Sequence, residues 1–217
     1  VCLKTVGLIQ YMAQCGLLVP LDADSVLGVF DSMFLDIGDQ QSIESDLSTY
    51  SSHLKNMAAF LREGGAHSLL LMDELGSGTD PNFGGGIAQA ILEQLLKKRA
   101  WGLATTHYYN LKVFAGHTPG IRNASMQFDT GNLVPLFRLE IGQPGSSFAL
   151  EIAGKTGLPP ETLKDAGRII GSELIGLETL VKEVAEGKVR LNQREQDLTA
   201  RESQALSARR KYEELNE

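Results

Sequence analysis

Two adjacent carboxylates, Asp73 and Glu74, follow directly on a short apolar run at residues 69–72. Such a run is typical of a strand that is buried on both faces of a parallel sheet. Ligands of open α/β sheets bind at the carboxyl ends of the strands, so the two acids would lie at a binding edge. One acid could hold Mg²⁺ and the next could orient an attacking water, which suits a magnesium–nucleotide site. The alternative is an ordinary buried strand that ends in an acidic turn.

A second apolar run, residues 101–105, ends in Thr105-Thr106-His107. Helical patterns at about 83–98 and 108–115 flank this run. The resulting β–α–β order, with its short connections, predicts parallel strands whose carboxyl ends lie at the same edge of the sheet. The polar loop Gly-Ser-Gly-Thr-Asp at residues 76–80 connects the acid pair to the first of these helices.

The remaining chain up to residue 170 alternates between helix and strand signals. Together these signals predict an α/β fold with a layered, mainly parallel central sheet. The expected elements are an opening helix over 1–15 that Gly16 stops, strand character over 26–37, a helix from about 52 to 62 behind a hydroxyl-rich segment at 41–52, a hairpin formed by 121–129 and 134–141, and short helices at 146–155 and 160–170.

The character of the sequence changes near Gly171. The chain from residue 172 onward is charged and contains no proline, and apolar or aromatic residues recur at every seventh position: Leu177, Val184, Leu191, Leu198, Ala205 and Tyr212. Most positions four residues later are charged, so only half of a heptad seam is apolar. We therefore expect a long C-terminal helix over 171–217 that could begin a coiled coil, separate from a first region at 1–170. A solvated helix is the alternative.

Charge and cysteine usage exclude some classes of protein. A formal net charge of −7 and a pI of about 5.2 argue against a dedicated nucleic-acid-binding module, which usually carries a basic stripe. No apolar stretch is long enough to cross a bilayer, so no membrane partner is expected. Cys2 and Cys15 would lie about 20 Å apart on one helix, which is too far for a disulfide. Reduced thiols are typical of a cytoplasmic protein.

Several linked motifs resemble the MutS family, the DNA mismatch-repair proteins within the ABC class of P-loop ATPases. The resemblance is strongest to the second bacterial paralogue of this family, which is linked to recombination control and often ends in a small nuclease-like (Smr) domain. It covers about residues 1–170. The motifs lie at 36–53, at 71–81 (Leu-Met-Asp-Glu-Leu-Gly-Ser-Gly-Thr-Asp-Pro), at 104–108, at 123–126 and at 141–148.

The resemblance implies a role for each candidate site residue. Asp73 is similar to the Walker B acid that helps to hold Mg²⁺, and Glu74 to the base that polarises the attacking water. His107 is similar to the switch histidine near the γ-phosphate. Ser48, with Thr49, resembles the signature segment that reaches a nucleotide bound by the other subunit. The loop that crosses the dimer interface would consist of Gly76, Ser77, Gly78, Thr79 and Asp80.

Each of these residues also has a purely structural interpretation. Asp73 could cap the following turn, and Glu74 could be a surface acid. His107 could be a hydrogen-bonded core or helix-cap histidine, and Ser48 could be a helix N-cap. The other histidines show no partner pattern in the sequence and are interpreted as structural or surface residues: His53, His67 and His117.

The sequence departs from the family at the phosphate loop. A Gly-rich loop that ends in Lys and Ser or Thr does not occur, and Lys4-Thr5 lacks the preceding glycines. In the family the opening helix follows this loop directly, so we expect Val1 to begin immediately after it. The backbone N–H cradle and the lysine that grip the phosphates would then be missing. As a fragment of the ATPase domain, the chain alone should bind ATP very weakly and hydrolyse it negligibly.

The resemblance therefore implies the ATPase portion of a cytoplasmic, homodimeric protein that uses ATP and Mg²⁺ and binds DNA. Branched or mismatched DNA is the expected nucleic acid, in mismatch repair or in suppression of recombination. Ribosomal RNA, ribosome rescue and endonuclease activity are further candidates for the full-length protein. The alternative is a dimerisation or interaction module that never hydrolyses ATP. An ABC-transporter or SMC-type ATPase is disfavoured, because residues 36–53 lack the Leu-Ser-Gly-Gly signature.

Overall fold

The computed structural model describes residues 1–38, 46–129, 134–146 and 148–171, and only isolated positions beyond residue 171. The chain divides into two compact units, Val1–Arg122 and Asn123–Glu217. The helix predicted for 171–217 lies mostly outside the described residues. The division of the chain near residue 171 therefore stays a prediction.

The first unit contains a three-stranded parallel sheet in the order β1-β2-β3. Leu71, on the central strand, pairs with Leu35 on one side and with Leu103 on the other. This arrangement confirms the predicted β–α–β order and the parallel strands. The strands are β1 (Ser32–Asp36), β2 (Ser68–Met72) and β3 (Trp101–Ala104), and the helices are α1 (Cys2–Gln14), α2 (Asp46–Glu63), α3 (Pro81–Lys97) and α4 (Tyr109–His117).

The central strand β2 is buried along its whole length, as predicted from its apolar run. Its side chains alternate between the two faces of the sheet. On one face, Leu69 and Leu71 pack with Leu3 of α1. On the other face, a larger core includes residues of α2, α3 and α4: Met57, Phe60, Leu70, Met72, Leu75, Ala88, Ile91, Leu95 and Leu111. Because β2 is packed on both faces, the position of the strand that precedes the acid pair is well defined.

The strand predicted for residues 26–37 is too long, because β1 begins only at residue 32. Upstream of β1, the side-chain amide of Gln10 donates to the Gly28 carbonyl at 2.8 Å. The amide of Gln14 donates to the Phe30 carbonyl at 2.9 Å and accepts from the Phe30 N–H at 3.0 Å. Two glutamines of α1 thus satisfy backbone groups of the segment that precedes β1.

The helix predicted from about residue 52 begins earlier, at Asp46. The serine-rich sequence favoured a capping segment, since hydroxyl side chains suit helix N-caps. Serine is only slightly unfavourable inside a helix, so the helix formed by the following apolar turns can extend through such a segment. Ser48 and Thr49 therefore lie in the first turn of α2, and the interpretation of Ser48 as an N-cap is wrong.

The second unit contains the predicted hairpin and two short helices. β4 (Ala124–Asp129) and β5 (Val134–Ile141) pair antiparallel, with an irregularity between Met126 and Phe128. The ring of Phe128 stacks on that of Phe148, with 5.1 Å between the centroids. The helices are α5 (Ala149–Lys155) and α6 (Pro160–Ile170).

The cysteines agree with the sequence-based expectation. Cys2 and Cys15 are both free thiols, and both belong to or directly follow α1. Within the described ranges, no helix has the length and apolar character that crossing a membrane requires.

Candidate active site

Asp73 and Glu74 lie immediately beyond the carboxyl end of β2, where the backbone ladders of the sheet continue for one more residue. The Asp73 N–H donates to the Asp36 carbonyl of β1 at 2.8 Å. On the other side, the Thr105 N–H donates to the Met72 carbonyl at 2.9 Å. The Asp73 side chain is half-buried and that of Glu74 is exposed. The sheet therefore holds the backbone of the acid pair while both carboxylates stay accessible.

Thr105, which follows β3, joins the two acids through one hydroxyl group. Its Oγ1 donates to Asp73 Oδ1 at 2.5 Å and accepts from the Glu74 N–H at 2.8 Å. Glu74 has a φ of 48°, a left-handed conformation that costs a non-glycine residue about 1–2 kcal/mol. The bond to Thr105 helps to hold this conformation. Sequence reasoning gave Thr105 no role, although its place at the end of the next parallel strand was a usable signal.

His107 lies opposite the second acid. Its Nε2 is 4.0 Å from Glu74 Oε1, and the two side chains are 89% and 57% exposed. An ion pair at such exposure contributes little to stability, so this contact does not explain why the two groups lie together. The structure places His107 beside Glu74, which directly follows Asp73, and the roles of the three residues stay predictions. It leaves Glu74 and His107 accessible to a ligand at the sheet edge.

The loop at residues 76–80 has a defined conformation. Gly76 and Gly78 have φ values of 89° and 86°, which glycine adopts without strain. The Ser77 N–H donates back to the Glu74 carbonyl at 2.9 Å and closes the turn after the acids. Asp80 is the N-cap of α3, where its side chain accepts from two backbone N–H groups. A role of this loop in a dimer interface stays a prediction.

Tyr108 holds the same loop from the β3 side. Its hydroxyl donates to the Gly76 carbonyl at 2.8 Å. Burial raises the pKa of Tyr108, and the nearby Tyr50 and Asp80 raise it further. A Cβ atom on Gly84 of α3 would lie 2.3 Å from the Gly76 oxygen and 2.8 Å from the Tyr108 hydroxyl. Only glycine at position 84 leaves room for this contact, which sequence reasoning missed.

A buried carboxylate, Asp36, lies beside the acid pair at the end of β1. It is 7% exposed, and both of its oxygens are hydrogen-bonded. His53 Nδ1 lies 2.7 Å from Oδ2, and Asn56 Nδ2 donates to Oδ1 at 2.8 Å. His53 thus has a specific partner that the sequence did not reveal. The cluster connects α2 to the strand next to the acids.

For the other candidate residues, the described part of the structure shows no contact with the acid pair. Ser48 and Thr49 lie in α2, and their side chains fall outside the described residues. Their predicted contact with a nucleotide of another subunit stays a prediction. His67 and His117 are exposed, in agreement with their interpretation as surface residues.

The donor set suits a magnesium ion that arrives with a nucleotide. The part of the chain that the structure describes contains no group of three or more His, Cys, Asp or Glu residues that could hold a metal ion alone. Mg²⁺ needs no such group, because it usually binds one or two carboxylates together with phosphate oxygens and waters. Asp73, which is accessible and oriented by Thr105, supplies a carboxylate of this kind.

A parallel α/β sheet that carries an acid pair at the end of its central strand is compatible with a nucleotide-binding α/β domain. Comparison with protein-family models agrees with this class. Residues 1–175 match MutS domain V, which is a P-loop ATPase domain. The chain therefore belongs to the MutS family.

Curated relatives carry the name Endonuclease MutS2. The protein from Thermomicrobium roseum is 50% identical over 184 residues, which cover 85% of this chain and 23% of the relative. The proteins from Halothermothrix orenii and Clostridium botulinum (strain Loch Maree) are 40% and 44% identical over 215 and 217 residues; each alignment covers 99% of this chain and 27% of the relative. The chain thus spans about a quarter of the length of these relatives.

Proposed function

We propose that this chain is part of the ATPase domain of a longer MutS-type protein, in which ATP binding and hydrolysis are coupled to DNA binding. Family membership supports the ATPase class. The observation that carries the proposal is the accessible acid pair at the end of β2, with His107 Nε2 4.0 Å from Glu74 Oε1. A module that served only to dimerise would not need two acids and a histidine at one sheet edge.

In this proposal, three side chains share the chemistry. Asp73 would hold Mg²⁺ through its carboxylate, which Thr105 keeps in one orientation. Glu74 is exposed and would accept a proton from the attacking water. His107, whose ring lies next to Glu74, could donate a hydrogen bond to a phosphate oxygen of the nucleotide. Bound Mg-ATP supplies the electrophilic phosphoryl group and the charge neutralisation that its transfer requires.

We further propose that the full-length protein is a cytoplasmic homodimer with two composite sites, in keeping with the prevalence of two-fold symmetry. Ser48 and Thr49 would contact the nucleotide of the partner subunit, and residues 76–80 would line the interface. Branched or mismatched DNA would bind through segments outside this chain, with ribosomal RNA as the other candidate. The name of the relatives, Endonuclease MutS2, also supports an endonuclease activity for the full-length protein.

Glu74→Gln in the full-length protein tests the ATPase proposal. The amide keeps the size of the side chain but cannot accept a proton, so Mg-ATP binding should stay nearly unchanged. Single-turnover hydrolysis should fall about 10²–10⁴-fold, the usual loss when a positioned base is removed. Isothermal titration and a quenched single-turnover assay measure the two quantities.

Glu63→Gln is the matched control. Glu63 is an exposed acid in the last turn of α2, where it pairs with the neighbouring Arg62 at 3.3 Å. This variant should bind and hydrolyse ATP at the wild-type rate. A wild-type rate in Glu74→Gln would remove Glu74 from the mechanism. A wild-type protein without ATPase activity would favour the non-hydrolysing module.

A further inference from the structure

The loops that follow β2 and β3 are hydrogen-bonded to one another beyond the ends of the strands. The Leu75 N–H donates to the Thr105 carbonyl at 2.9 Å. The Thr106 hydroxyl donates to the Leu75 carbonyl at 3.5 Å, and the Tyr108 hydroxyl donates to the Gly76 carbonyl at 2.8 Å. Together with the bonds of Thr105 to the acid pair, these contacts join residues 73–76 to residues 105–108 almost residue by residue.

The Tyr108 hydroxyl is the link farthest from the strand ends. The Tyr108 backbone is itself fixed, because its N–H donates to Thr106 Oγ1 at 3.1 Å. The contact is crowded on its other side by Gly84, where even a Cβ atom would touch both partners. The position of the Gly76 carbonyl is therefore set by a side chain that follows His107 directly in the sequence.

Gly76 is also the first residue of the loop 76–80. Two other contacts restrain this loop, one at its middle and one at its end. A Cβ on Gly78 would lie 3.3 Å from the Cβ of Tyr50, so α2 approaches the middle of the loop closely. Asp80 fixes the far end by capping α3. Of these contacts, the bond from Tyr108 is the one that connects the loop to the segment carrying His107.

We propose that Tyr108 is a positioning residue that ties the loop 76–80 to the His107 segment, so that the acid pair, the histidine and the loop keep one arrangement during hydrolysis. The proposal rests on the ATPase function proposed above. Tyr108 acts through the Gly76 carbonyl and contacts neither the nucleotide nor the attacking water. Its loss should therefore slow the chemical step without weakening ATP binding.

Tyr108→Phe in the full-length protein removes the hydroxyl and keeps the ring. The loss of one net hydrogen bond from the reactive arrangement corresponds to a decrease in kcat of about five- to tenfold. The KM for ATP and the Kd for Mg-ATP should stay within about twofold of wild type, since uniform binding is not affected. Steady-state kinetics and isothermal titration give this split between kcat and binding, which a general loss of stability would not produce.

Tyr109→Phe is the matched control, because it makes the same change one residue later. Tyr109 begins α4, and within the described part of the chain its hydroxyl makes no hydrogen bond. It should leave kcat, KM and the thermal midpoint unchanged. Circular dichroism melting of both variants shows whether either change has reduced folding.

The outcomes separate this proposal from the ATPase proposal. Wild-type hydrolysis that depends on Glu74 but is unchanged in Tyr108→Phe would overturn the role of Tyr108 alone. Equal losses in Tyr108→Phe and Tyr109→Phe, or a loss of ATP binding that matches the loss of kcat, would overturn it as well. If the wild-type protein hydrolysed no ATP, both proposals would fail together.

Discussion

Replacing Thr105 by valine should slow ATP hydrolysis by disturbing both acids at once. Thr105 Oγ1 donates to Asp73 Oδ1 and accepts from the Glu74 N–H. Valine has nearly the same shape but no hydroxyl, so both bonds are lost without a change in volume. Asp73 would then rotate more freely, and Glu74 would lose a contact that supports its left-handed backbone conformation.

The size of the effect follows from the kind of bond. A hydrogen bond to a charged group is worth about 1.5–3 kcal/mol, which corresponds to about 10- to 100-fold in rate. Thr105 and Glu74 are exposed, so water can replace part of the loss. We therefore expect a decrease in the hydrolysis rate near the lower limit, about tenfold. For the same reason, the cost in folding stability should be only about 1 kcal/mol.

Single-turnover hydrolysis by the full-length protein at saturating Mg-ATP measures the effect. Thr105→Ser is the matched control, because serine keeps the hydroxyl at the same position and should retain most of the wild-type rate. A magnesium titration should show weaker apparent Mg²⁺ binding in Thr105→Val than in Thr105→Ser. Equal rates in the valine and serine variants would refute the argument that the hydroxyl orients the acid pair.

Two further predictions concern the core and the dimer. Leu70 is 1% exposed, so Leu70→Ala should lower the free energy of unfolding by about 2–5 kcal/mol; urea denaturation measures this, and Leu18→Ala, at a position that is 96% exposed, should have little effect. Mixing Ser48→Ala chains with Glu74→Gln chains should restore part of the ATPase activity, because a mixed dimer places both changes in one composite site and leaves the other intact. A mixture that stays inactive despite demonstrated subunit exchange would contradict the sharing of sites.

The central part of the fold could be predicted because its signals are local. The apolar run before Asp73 can be buried on both faces only if helices cover the sheet on both sides. Short helical connections on each side of the run make the strands parallel. The acid pair and His107 then meet at one edge of the sheet, since strand direction alone decides which end carries them. The shared position of the acid pair and His107 could therefore be predicted without knowledge of any side-chain contact.

The contacts that orient the site could not be predicted in the same way, because they depend on which loops meet in three dimensions. Gln10 and Gln14 look like ordinary polar residues of an amphipathic helix, yet their amides are hydrogen-bonded to backbone groups of Gly28 and Phe30. Thr105 and Tyr108 look like residues of a strand end and a helix start. The hydrogen-bond partners of their side chains across the site are 31 or 32 positions away in sequence, so local patterns carry no information about them.

The buried carboxylate of Asp36 gives a physical reason for the position of α2. A carboxylate that is 7% exposed needs donors for both oxygens. His53 and Asn56 supply them, because residues three apart lie on the same side of a helix. The Asp36 carbonyl also accepts from the Asp73 N–H, so one residue contacts α2 through its side chain and the acid pair through its backbone. In the proposed dimer, the same helix would present Ser48 to the partner subunit. Each subunit would then hold the group that it presents to its partner at a fixed distance from its own acids.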